Sequence, residues 1–173
     1  MSLLETQNFL ARIYTDENLR REFLLSPEKI GKANALTARE IGEIIEIFPD
    51  EINDFAESLL WKRLREVEKF LPLTRQHLNT EFARYFREFA PTYNSQSIKK
   101  HLEDALNFTN YLEASRTVSG IVKNAAKYER AKLEFYALNK TAVVRLLHFD
   151  VQTGGKRKHF KIWLRIGKRT LVF

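Results

Sequence analysis

The chain has 173 residues, 44% of them apolar and 29% charged, with 13 Phe, 6 Tyr and 2 Trp against only 6 Gly and 4 Pro. That composition excludes a disordered, collagen-like or low-complexity chain and suits one compact domain or two small ones. The absence of cysteine excludes disulfides, thiol catalysis and Cys-ligated zinc or iron–sulfur sites, and the formal net charge is +7, whose distribution matters more than its size.

Apolar residues recur at three- and four-residue spacing up to Asn139, and breakers fall between the periodic stretches. This predicts a helical domain over 1–139, with short helices over 1–48 and longer ones over 50–138. In the first helix Leu3, Gln7, Leu10, Ala11 and Tyr14 approximate one face, with Phe9 and Ile13 beside it. Asp16 reads as the N-cap of a short helix carrying Leu19, Phe23 and Leu24, and Ser26–Pro27 as an N-cap followed by proline at the first helical position. Thr37 and Glu40 fit a capping box that opens a helix through Ile41, Ile44, Ile45 and Phe48.

Pro49 stops that segment, and a long helix follows from about Asp50 to Phe70, ended by Pro72. Within it, Lys62, Arg63, Arg65 and Lys69 interleave with Glu66 and Glu68 at spacings that give weak, exposed ion pairs. Leu78, Phe82, Tyr85, Phe86 and Phe89 form the next apolar face, read as core and closing at Ala90–Pro91. Helical patterning resumes with Ile98, Leu102, Ala105, Leu106, Phe108 and Leu112, where His101, Glu103 and Asp104 read as a solvated face. It returns once more from about Val118 to Leu138.

After Asn139 the period changes from about 3.6 to 2. Phe160, Ile162, Leu164 and Ile166 alternate with His159, Lys161, Trp163 and Arg165, which predicts a half-buried strand with the first set inward. Thr141 to Val151 is apolar and β-branched enough for a more buried strand. Gly154–Gly155 suits a hairpin between the two, and Gly167–Lys168 a second turn into Thr170–Phe173. The expected fold is therefore mainly α, a helical bundle with a small C-terminal antiparallel β hairpin or meander over 140–173 that packs on the last helix; it is α+β overall.

Charge is distributed unevenly. Residues 140–173 carry nine basic side chains against Asp150 alone, a net of +8, whereas 1–139 carry 20 basic and 21 acidic, a net of −1. The second strand sets Trp163 between Lys161 and Arg165, with His159 next along and Lys156, Arg157 and Lys158 before it. An aromatic inside a positive ribbon fits phosphates and a stacked base, or the carboxylates and apolar anchor pocket of a protein partner. A plain solvated edge protected by lysines fits as well.

Catalytic motifs are missing from the sequence. His77, His101, His148 and His159 form no HExxH, HxH or Glu-x-x-His spacing, and no GxSxG, Walker A or GxGxxG motif occurs. Glu40, Glu43 and Glu46 read as an exposed acidic stripe. No enzyme, cofactor or metal is expected. No apolar run approaches the roughly 20 residues of a membrane span, and no signal-like segment opens the chain, so a cytoplasmic location is expected.

Phe70-Leu71-Pro72, Arg75 and Leu78, Phe82 and Phe86, Ala90-Pro91, Ser97, Phe108 through Leu112, and Ala125-Ala126-Lys127-Tyr128-Glu129 together carry a resemblance. From Leu60 onward the chain resembles a bacterial family of unknown function labelled as a DNA-binding domain, often encoded beside multinuclear non-haem iron oxidases that modify peptides. The resemblance implies a helical domain followed by a smaller part containing strands. Where the family often shows Leu-Gly this chain has Leu78-Asn79, and its C-terminal portion is shorter and more basic. The function expected from the residues is a non-enzymatic accessory protein. It would dock a protein or peptide partner through Lys156, Arg157, Lys158, His159, Lys161, Trp163 and Arg165, with nucleic-acid binding by the same face as the alternative.

Overall fold

The computed structural model describes residues 3–46, 49–93, 97–149, 155–167 and 169–173. The described residues form nine α-helices, a short 3-10 turn and one three-stranded antiparallel sheet, an α+β fold with a C-terminal meander. None of the helices is long and apolar enough to cross a membrane. The chain divides into two compact units, Met1–Lys62 and Arg63–Phe173.

The first unit holds α1 (Leu3–Thr15), α2 (Glu17–Leu25), α3 (Pro27–Ala33), α4 (Ala38–Ile45) and the start of α5 (Pro49–Phe70). Its core is Phe9, Ile13, Phe23, Leu36, Ile41, Ile44 and Ile52, with the Phe9 and Phe23 rings edge-on at 5.2 Å. The inward side of α1 is therefore the Phe9–Ile13 side, with Gln7 and Ala11 in solvent. Two large apolar residues four apart bury more surface than a face interrupted by glutamine.

The helix starts follow their capping chemistry. Asp16 accepts from the Leu19 amide at 3.0 Å, and Thr37 and Glu40 form the complete reciprocal box. Hydrogen bonds from the hydroxyl of Thr6 and from the amide and hydroxyl of Thr37 hold the Glu40 carboxyl down at about 2. Pro27 occupies the first position of α3, but the Ser26 side chain makes no cap bond. Phe48 lies outside the described residues.

The second unit contains the end of α5, α6 (Pro72–Leu78), α7 (Glu81–Phe89), α8 (Lys100–Ala114), α9 (Gly120–Tyr136), and strands β1 (Ala142–Phe149), β2 (Lys156–Ile166) and β3 (Arg169–Val172). Phe82, Phe86, Phe89 and Phe108 build an aromatic cluster with ring centroids 5.2–5.8 Å apart. Leu78 and Phe82 belong to different helices, because Asn79 turns the chain at φ 50° between α6 and α7. Ile98 precedes α8 and is fully exposed.

Two long-range polar contacts tie this unit together. Lys69 pairs with Glu66 on the surface, as the spacing suggests, but Arg63 turns inward and grips Asp104 through two parallel bonds of 2.8 and 3.1 Å. Asp104 is only 2% exposed, so it is not part of a solvated face. The carboxylate of Glu129 on α9 accepts from the Leu73 and Thr74 amides and the Thr74 hydroxyl at 2.7–2.9 Å, capping α6 from 55 residues away. Glu129→Ala strands these three donors, and the urea midpoint is expected to fall by the equivalent of about 1–3 kcal/mol, with Glu129→Gln falling less. An unchanged midpoint for the alanine variant would show that the contact carries no stability.

Candidate interaction surface on the C-terminal sheet

The sheet runs β1-β2-β3, with Val143 opposite Trp163, Arg145 opposite Lys161 and Leu146 opposite Phe160. β3 pairs along the other side of β2, with Leu171 opposite Leu164 and Arg169 opposite Ile166. Gly167, at φ +61°, opens the turn between them, a left-handed conformation that glycine adopts without strain. Gly154 and Lys168 of the two expected turns lie outside the described residues.

Successive side chains of a strand point to opposite faces, so each strand offers two readings of its inward side. The structure adopts the reverse of the one expected from the alternation. Trp163 is 2% exposed and packs with Val143 on Ala131 and Phe135, its ring tilted on Tyr128 at 5.7 Å. Leu147 is fully buried on the same side. Trp163 is thus core and not an exposed anchor, and Phe160 and Ile166, expected inside, are each 63% exposed. The reason lies in the partner helix: Ala131, Phe135 and Tyr128 of α9 form the site that the indole fills, together with Val143 of β1.

Arg165, beside Trp163, reaches the rim of the α9 contact with its guanidinium. Arg165 lies over the Phe135 ring at 5.0 Å and bonds the Asn139 side chain, and Lys161 and His159 are half-buried on the same face. Arg145 pairs with Glu134 at 2.8 Å and Lys140 with the same carboxylate at 2.9 Å; Arg130 joins Glu134 to Glu113. Partial burial pushes the Glu134 carboxyl up, but Lys140 and Arg145 outweigh it and hold the group below its ordinary value. Part of the C-terminal positive charge is therefore spent on docking the sheet to α9.

The seven expected contact residues do not form one surface. His159, Lys161, Trp163 and Arg165 face α9, and Lys158 is exposed on the other side. Lys156 and Arg157 open β2, and their side chains lie outside the described part.

The face away from α9 is apolar and uncovered. It presents Val144 and Leu146 from β1, Phe160 and Ile166 from β2, and Leu171 and Phe173 from the β3 side, the last held by two backbone bonds to Ile162. Phe160, Ile166 and Phe173 are each more than 60% exposed. Lys158 stands at one end of this strip and Arg169, opposite Ile166, at the other. The sequence signal lies in β2, where apolar residues occupy every even position from Phe160 to Ile166 and the largest apolar residue, Trp163, an odd one, so each face offers an apolar group for burial.

Elsewhere in this unit a shallow cleft of about 280 Å³ is lined by Lys69, Pro72, Glu129, Lys132 and Tyr136, among others. Burial raises the Glu129 carboxyl above its ordinary value, and three hydrogen bonds from Leu73 and Thr74 act against it. Both oxygens are taken up by α6, which makes Glu129 a structural cap. Among the described residues no group of three or more His, Asp or Glu side chains is placed to hold a metal ion. No protein-family model and no curated protein matches the chain.

Proposed function

We propose that the chain is a cytoplasmic, non-enzymatic accessory protein that docks a protein or peptide partner through its C-terminal sheet. The contact surface is the apolar face carrying Val144, Leu146, Phe160, Ile166, Leu171 and Phe173, and not the Trp163 side. The observation that supports it is the continuity of exposed apolar side chains across all three strands. Monomeric soluble proteins rarely leave such a patch open, and patches rimmed by polar residues mark protein interaction sites. On the Trp163 side a nucleic-acid surface lacks the free cations and accessible aromatic it needs, since Trp163 is core and Arg145 and Lys140 are paired with Glu134; on the outer face Lys158 and Arg169 stand only at the ends of an apolar row.

The test compares the wild-type chain with the Phe160→Asp/Ile166→Asp double variant. Both positions are exposed, so the unfolding midpoint is expected to hold while a protein captured from native extract by the wild-type chain is lost. Fluorescence anisotropy with duplex and single-stranded oligonucleotides at about 50 and 200 mM salt is expected to show no binding. Oligonucleotide binding that collapses with salt and survives the double substitution would overturn the reading in favour of nucleic acid.

A further inference from the structure

The uncovered face constrains the shape of what covers it. Neighbouring strands lie about 4.8 Å apart, so the three strands present a strip about 10 Å wide, the width of one helix with its side chains. On the other face a single helix, α9, packs on β1 and on Trp163 of β2, burying Val143 and Trp163, while β3 stays exposed. From Phe160 to Ile166 the apolar strip runs for about 20 Å, the length of a helix of roughly 14 residues. A sheet with one apolar face on a helix and the other in water is completed as a layered fold by a helix on the open side.

Other occupants fit less well. A strand added at an edge pairs with the outer backbone of β1 or β3 and leaves Phe160 and Ile166, on the central strand, in water. The β1 edge is in addition closed at His148, whose amide donates to the Asn124 side chain at 2.8 Å. A second copy laid face to face would set the exposed Lys158 and Arg169 of one chain against those of the other, and like charges at an interface oppose association.

The charge at the strip's ends selects the partner's polar residues. Lys158 and Arg169 stand at opposite ends of the apolar row, both exposed. We infer that the outer face of the β1–β3 sheet receives an amphipathic helix of a partner protein, seating its apolar stripe on Phe160, Ile166 and Phe173 and its terminal carboxylates against Lys158 and Arg169. This inference rests on the docking reading above and adds the partner's secondary structure and charge.

The test is a selection of random 20-residue peptides displayed on phage against the immobilised full-length chain, with depletion on Phe160→Asp/Ile166→Asp. Enriched peptides are expected to repeat apolar residues at three- and four-residue spacing with Asp or Glu at both ends. Synthetic copies are expected to gain helical circular dichroism on binding, and to bind the double variant at least about tenfold more weakly. Lys158→Glu/Arg169→Glu is expected to weaken acidic peptides by a similar factor while leaving the unfolding midpoint in place. Enriched peptides with two-residue alternation and no helical gain would overturn the helix and leave protein docking standing. Basic peptides, or none dependent on Phe160, would overturn the inference, as would a dimer in sedimentation that the double variant dissolves. Docking itself falls only if the captured protein also survives the double variant.

Discussion

Trp163→Ala is expected to lower the stability of the chain by about 3–5 kcal/mol, the usual cost of truncating a buried tryptophan. The indole is the largest side chain among those fully enclosed, and it fills the space between β2 and α9 against Val143, Phe135 and Tyr128. Its loss leaves a cavity in the contact between the sheet and α9, so the sheet is expected to loosen before the helices melt. The measurement is urea unfolding followed by far-ultraviolet circular dichroism, with hydrogen exchange at the amides of β1 and β2. Trp163→Phe is expected to recover part of the loss. The paired control is Phe160→Asp, three positions along and on the opposite face, which is expected to leave the midpoint within about 0.5 kcal/mol. Were the two variants to exchange outcomes, the faces of β2 would be the reverse of those described.

This reversal shows where the sequence stops being legible. The change from helical to strand periodicity after Asn139 is local, and so are the Asp16 cap, the Thr37–Glu40 box and the proline boundaries at Pro49 and Pro72. Each depends on residues within a few positions of one another, and each is read correctly. The inward face of β2 depends on what α9 presents, and Ala131 and Phe135 are about thirty residues from Trp163 along the chain. Counting apolar residues on each side of the strand favours Phe160, Ile162, Leu164 and Ile166; the fit of the indole to Ala131, Phe135 and Tyr128, with Arg165 over Phe135, favours Trp163. The candidate surface was thus legible as a basic, aromatic strand, while the side of it that meets solvent was not.

The same limit hid the Arg63–Asp104 pair. In sequence Arg63 has Lys62, Arg65, Glu66 and Glu68 nearby and reads as one more member of a surface ladder. In the structure its fork takes both Asp104 oxygens, its Nη2 also donates to the Tyr93 carbonyl at 2.9 Å, and its guanidinium lies 5.9 Å from the Phe86 ring centroid. One side chain therefore fixes the end of α7, the 3-10 turn at Ala90–Thr92 and the start of α8 relative to α5.

Removing one partner leaves the other charge poorly solvated, so Asp104→Ala is expected to cost about 3–5 kcal/mol by denaturant midpoint. Arg63→Lys keeps the charge but loses the fork, and is expected to fall between wild type and Asp104→Ala. The double substitution Arg63→Met/Asp104→Leu removes both charges and supplies apolar volume, and most of the lost stability is expected to return. Hydrogen exchange at the amides of Ala90, Thr92 and Tyr93 separates the two contributions of Arg63. If the double variant is stable yet these amides exchange fast, the pair's role is to order the turn; if they stay protected, the aromatic cluster of Phe86, Phe89 and Phe108 holds the turn unaided. The number of acceptors that converge on this one guanidinium favours the first outcome.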